Sequence, residues 1–160
     1  MKDKEIADGW IGFDSRHGRL LAGEGAVTRT GDILPGCYVV VATRPQVSFR
    51  GQRLFVHLPI ASSFLIHSLR VGNSEQTAAA EPIPGDAFAT RMDTLAQMDE
   101  MFARDKVIEV KVGKTGVELL GSPWTLPLAS PGMELAITVE NIGDRSLRFV
   151  AGMLGKVPAW

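Results

Sequence analysis

Met133-Glu134-Leu135-Ala136-Ile137-Thr138-Val139-Glu140 runs into Asn141-Ile142-Gly143-Asp144, and Leu147-Arg148-Phe149-Val150-Ala151-Gly152-Met153 follows. In the first run Met133, Leu135, Ile137 and Val139 alternate with Glu134, Ala136, Thr138 and Glu140. A period of two fits a β-strand, whose successive side chains point to opposite faces, and not a helix of period 3.6. Asn, Gly and Asp between the runs are turn formers. Leu147, Phe149, Ala151 and Met153 then resume the alternation. The segment predicts a closing β-hairpin with Ile137 and Phe149 buried in one core.

The same signal recurs upstream. Cys37–Ala42 is β-branched and continuous, like a strand covered on both faces. Gln52–Leu58 places Leu54, Val56 and Leu58 on one face and Arg53, Phe55 and His57 on the other. Pro59 and Ala61-Ser62-Ser63 break the pattern before a strand over Phe64–Val71. Ile108, Val110 and Val112, then Gly113-Lys114-Thr115-Gly116 and Val117–Leu120, read as a second hairpin. Residues 72 to 86 form a long loop, expected to pack on a neighbouring subunit or on a helix at 90–103. Thr90-Arg91-Met92-Asp93 resembles a capping box. With Met92, Leu95, Met98, Met101 and Phe102 at helical spacing, it predicts one short amphipathic helix near 90–103.

About eight short strands with turns between them predict a mainly β domain, an antiparallel two-sheet β-sandwich of jelly-roll-like type. The 160 residues fit one domain, and 17 Gly and 9 Pro spread along the chain suit many short elements. Residues 1–36 carry Gly at 9, 12, 18, 23, 25, 31 and 36 and little periodicity. They are expected to form an extended N-terminal arm, with the β-sandwich domain over 37–160. The knot Trp10, Ile11 and Phe13 is the best anchor on that arm. Trp124 and Trp160 lie outside the regular strands. Large aromatics in such places cap a core or anchor an interface, so these five residues are the candidate assembly contacts.

Composition bounds the partners. Lys plus Arg number 17 against 18 Asp plus Glu, a net charge of −1, with no basic run. Direct nucleic-acid binding is not expected, because phosphate recognition needs concentrated positive charge. Cys37 is the sole cysteine and reads as a small buried side chain in a reducing compartment. Met1-Lys2-Asp3-Lys4-Glu5 lacks the apolar core of a signal peptide, and no apolar run reaches the length of a membrane helix. Synthesis in a cytoplasm is the expectation. Contact with a membrane is left open.

Catalytic patterns are weak. Gly113-Lys114-Thr115 ends like a phosphate-binding loop, but position 108 is Ile where the loop needs glycine, and a strand follows where it needs a helix. His17, His57 and His67 lack metal-ligand spacing. Ser74 lacks the second glycine of a nucleophile elbow. No catalytic residue, cofactor or metal is assigned, and a non-enzymatic role is expected.

Three stretches carry a resemblance: Thr43-Arg44-Pro45-Gln46-Val47-Ser48-Phe49-Arg50-Gly51-Gln52-Arg53-Leu54, Ile60–Ile66, and Leu69-Arg70-Val71-Gly72-Asn73-Ser74-Glu75-Gln76. Pro131–Leu135 and Val139-Glu140-Asn141 add to it. Together they resemble small β-sandwich structural proteins of bacteriophages, of the capsid or virion-surface kind, over roughly residues 43 to 76 and 131 to 155. The resemblance implies a self-assembling or shell-decorating subunit of a virion, made in the host cytoplasm, whose partners are copies of itself and other virion proteins. The rival reading is a ligand- or carbohydrate-binding β-sandwich module. A third is a small enzyme with a site assembled from distant strands.

Overall fold

The computed structural model describes residues 6–16, 19–20, 28, 30–75, 82–90, 107–109 and 126–158. Along the chain run β1 (Ile6–Asp14), β2 (Arg19–Leu20), β3 (Asp32–Ile33), β4 (Tyr38–Thr43) and β5 (Arg50–His57). A one-turn helix α1 (Leu58–Ala61) leads to β6 (Phe64–Val71), β7 (Ser74–Glu75) and β8 (Ile83–Pro84). A 3-10 turn (Gly85–Phe88) precedes β9 (Ala89–Thr90) and β10 (Val107–Glu109). Strands β11 (Leu135–Asn141), β12 (Leu147–Arg148) and β13 (Val150–Pro158) follow.

Among the described residues these strands make two main sheets. The first has the order β10-β1-β13-β5-β9, and the second runs β2-β4-β11-β6-β7 with β8 also on β6. A small ribbon joins β12 to β3. Pairing is antiparallel except for the short β5–β9 contact. The protein is thus mainly β with antiparallel sheets. One core draws on both: Ile11, Phe13, Val56, Ala151 and Met153 from the first sheet, Val39, Val41, Ile66, Leu69 and Ile137 from the second.

Ile137 and Phe149 are both fully buried in that core, as the alternation predicts. Their strands are not a hairpin, however. Strand β11 pairs with β4 and β6, whereas β13 pairs with β1 and β5. The turn at Asn141 carries the chain from one sheet to the other, so the two runs face each other across the core. Alternation fixes which face of a strand is apolar, but not its hydrogen-bonded neighbour. Asn141 makes this corner. Its Nδ2 donates to the carbonyls of Ile33 and Arg145, both at 2.8 Å, and its Oδ1 accepts from Gly143 N at 2.9 Å.

The expected N-terminal arm is corrected for residues 6–14. They form β1, hydrogen-bonded to β13 from Ile6↔Pro158 to Asp14↔Val150 and flanked on its other side by β10. Trp10, Ile11 and Phe13 are fully buried within their own chain, so they are not surface anchors for a neighbouring subunit. Two of the glycines that suggest an arm sit opposite other glycines. Gly9 pairs with Gly155 and Gly12 with Gly152, and the bare backbone at Gly152 makes room for the Trp10 indole. A Cβ built on Gly152 would collide with Trp10 Cζ2. Gly152→Ala should therefore overpack the site and cost about 1–3 kcal/mol by urea unfolding. Trp10→Leu in the same chain should recover part of that loss.

Other expectations fare differently. In β4, Val39, Val41 and Ala42 are buried but Tyr38 is exposed, so only its far end is covered on both faces. Leu54 and Val56 enter the core as expected, while Leu58 starts α1 and is exposed. The long loop is held by its own domain where it is described: Ser74–Glu75 and Ile83–Pro84 both pair with β6. The helix expected near 90–103, the 113–116 turn, Trp124 and Trp160 lie outside the described residues, except that Thr90 ends β9.

Candidate functional site

Two polar groupings stand on the outward faces of the sheets. On the second sheet, Glu140 of β11 lies opposite Tyr38 of β4, and β6 brings His67 beside them. His67 Nε2 is 2.9 Å from Glu140 Oε1, and the Tyr38 ring tilts against the imidazole at 4.8 Å. Ser68 donates to Thr138 at 3.1 Å one step along the sheet. The strands present these groups because the core takes the opposite parity, Val39, Val139 and Ile66. Tyr38 is 52% exposed, so the grouping offers an aromatic ring with hydrogen-bonding groups to solvent.

On the first sheet, the outward row is Trp10, Gly12 and Asp14 of β1, then Leu154, Gly152 and Val150 of β13, then Arg53 and Phe55 of β5. His57 follows Val56, which pairs with Ala151, so it stands alongside Val150. Trp10 and Phe55 stack with ring centroids 5.8 Å apart. At the end of the row Asp14 is buried. It receives Arg148 Nε on Oδ1 at 2.9 Å and Arg148 Nη2 on Oδ2, and Arg16 N also donates to Oδ1 at 2.8 Å. The paired geometry is that of a charge-assisted fork. Next to it, Ser15 Oγ donates to Gly31 O at 2.5 Å and accepts from Phe149 N at 2.9 Å. His57 Nδ1 is buried with no hydrogen-bond partner among the described residues. Burial, and second the positive charge of Arg148, hold the His57 pKa below its ordinary value.

The five candidate assembly residues divide accordingly, with Ile11 and Phe13 in the core, Trp10 buried on the opposite face of β1, and Trp124 and Trp160 outside the described residues. His57 and His67 stand on different sheets and share no site. Among the described residues no three His, Cys, Asp or Glu side chains converge as metal ligands, and no helix is long and apolar enough to cross a membrane. Reading the sequence misses the Asp14–Arg148 pair, whose members are far apart in the chain and carry no local pattern.

Loop ends supply a third feature. Segments 44–49 and 126–134 are joined by the Phe49–Ala129 bridge and by Gly132 N donating to Pro45 O at 2.7 Å. They leave Val47, Leu128 and Met133 on the surface. No family model, curated protein or solved structure matches the chain.

Proposed function

We propose that this protein is a non-enzymatic structural subunit of a bacteriophage particle, a jelly-roll β-sandwich that assembles through contacts between copies. The observation that carries the reading is the strand order. The first four long strands alternate between the sheets, β1 and β5 in the first, β4 and β6 in the second, and β11 and β13 then return to the second and the first. In each sheet the late strand sits between the two early ones, β13 between β1 and β5, β11 between β4 and β6. That is how an antiparallel ribbon winds into a jelly roll, an architecture shared by viral shells, lectins and cupins. The resemblance over residues 43 to 76 and 131 to 155 selects the virion among these. Made in the host cytoplasm, the subunit would end in the virion beside copies of itself and other virion proteins. The apolar loop end with Val47, Leu128 and Met133 takes the assembly role that the buried Trp10, Ile11 and Phe13 cannot fill.

Sedimentation velocity and electron microscopy of the purified chain test this. Regular oligomers or shells are expected, and Leu128→Asp with Val47→Asp should lower the assembled mass without moving the thermal midpoint. A chain that stays monomeric across concentration sinks the proposal. The Tyr38, His67 and Glu140 face favours the carbohydrate-module reading instead. Glycan binding lost in Tyr38→Ala, by a monomer, would establish it.

A further inference from the structure

We propose that His57 is an acid-sensitive latch on the corner where Arg148 fastens the β12–β3 ribbon to the end of β1. Three observations on separate elements meet there. Arg148 closes a two-point bridge onto Asp14, which is 1% exposed, while 30% of the Arg148 side chain reaches solvent. The ribbon holding Arg148 has the pairs Leu147↔Ile33 and Arg148↔Asp32, and the bridge joins the Asn141 and Ser15 hydrogen bonds in tethering that segment. His57 stands on the same outward row as Asp14, with Val150 of β13 between them, and Arg148 acts on it electrostatically.

A neutral imidazole can leave the buried Nδ1 bare, as an acceptor without a donor. The protonated ring must carry N–H on both nitrogens, so Nδ1 becomes a buried donor with nothing to receive it. It also sets a second positive charge near Arg148, which repels the guanidinium that closes the bridge. Other described elements around His57 offer little to offset this. Its own strand adds Arg53, another cation, on the same face. Strand β13 adds Val150, Gly152 and Leu154 there, and α1 holds no titratable side chain. In β9 Ala89 does not titrate. The 3-10 turn has Asp86, which is exposed.

The sign follows. A histidine whose folded pKa lies below 6.5 is held neutral by the fold. Its contribution is complete above the ordinary pKa and is lost as pH falls through the lowered one. The latch is closed at neutral pH and opens in acid. Opening should begin at the corner, where Ser15 N donates to Phe149 O at 3.0 Å and Phe149 N donates to Ser15 Oγ.

Amide hydrogen exchange of the full chain, corrected for intrinsic rates, tests this between pH 7.5 and pH 5. Protection of Ser15 and Phe149 should fall at least roughly tenfold in acid, while Ile137 and Val139 of β11 keep theirs. In His57→Gln, which cannot take the proton, the corner should stay protected. An equal loss in that variant overturns the latch, as does a loss spread evenly over β11. Should the variant not fold, the wild-type His57 ring is titrated by NMR. Its midpoint must coincide with that of the corner amides, and separate midpoints overturn the proposal.

Discussion

A chain lacking residues 6–14 is expected to show no cooperative thermal transition and no native-like dispersion of its NMR spectrum. The segment is an inner strand, with β10 on one side and β13 on the other. It brings three fully buried large side chains, Trp10, Ile11 and Phe13. Truncating one such aromatic typically costs about 3–5 kcal/mol, against a total stability of about 5–15 kcal/mol for a domain. Losing all three, with the ladder to β13, exceeds what the rest can supply. It would also leave β13, now an edge, with unpaired backbone groups along its length. Circular dichroism melts of the truncated chain check this. A sharp transition near the full-length midpoint would mean that β1 is an appendage and not part of the core.

Phe149→Ala is expected to lower stability by about 3–5 kcal/mol, read from urea unfolding at fixed slope. The ring is fully buried and meets Phe64 edge-on at 5.1 Å with the planes at 76°. Such a pair adds about 0.5–1.5 kcal/mol beyond burial, which a double-mutant cycle with Phe64→Ala would isolate. The backbone of Phe149 is bonded to Ser15 on both its N–H and its carbonyl. Those bonds survive the substitution, so the loss reports on the ring. A change well under 1 kcal/mol would show that neighbouring side chains collapse into the space.

Residues whose role depends only on their own strand are legible in the sequence. Leu135, Ile137, Val139, Phe149, Ala151 and Met153 announce their burial by period two and lie in the core, whereas Met133 and Leu147, which start the same two runs, are exposed and half-buried. What the period does not encode is partnership. Strands β11 and β13 are separated in sequence only by a turn and the two-residue β12, yet each inserts between two strands made much earlier. Segment 6–14 reads as an arm because its informative partners, Gly152 and Gly155, are remote. Next to its own neighbours Gly12 looks like flexibility, whereas in the sheet it lies opposite Gly152, the position the indole covers. The polar groupings are hidden for the same reason. Asp14 and Arg148, or Tyr38, His67 and Glu140, become groups only when pairing sets their strands side by side.

Because β13 sits between the first and third long strands, the order of synthesis runs against the order of assembly. Ile6, the first described residue, pairs with Pro158, the last. While the ribosome is still adding β13, both β1 and β5 have been made but the strand that joins them has not. The nascent chain must hold two apolar strands unsatisfied until residues 150–158 emerge. The first sheet closes only then, in a step dominated by contacts distant in sequence, which makes for slow folding. That interval is when the chain is most exposed to aggregation and to chaperones. A stalled nascent chain ending near residue 149 should therefore be far more protease-sensitive than one extended by a linker beyond residue 160.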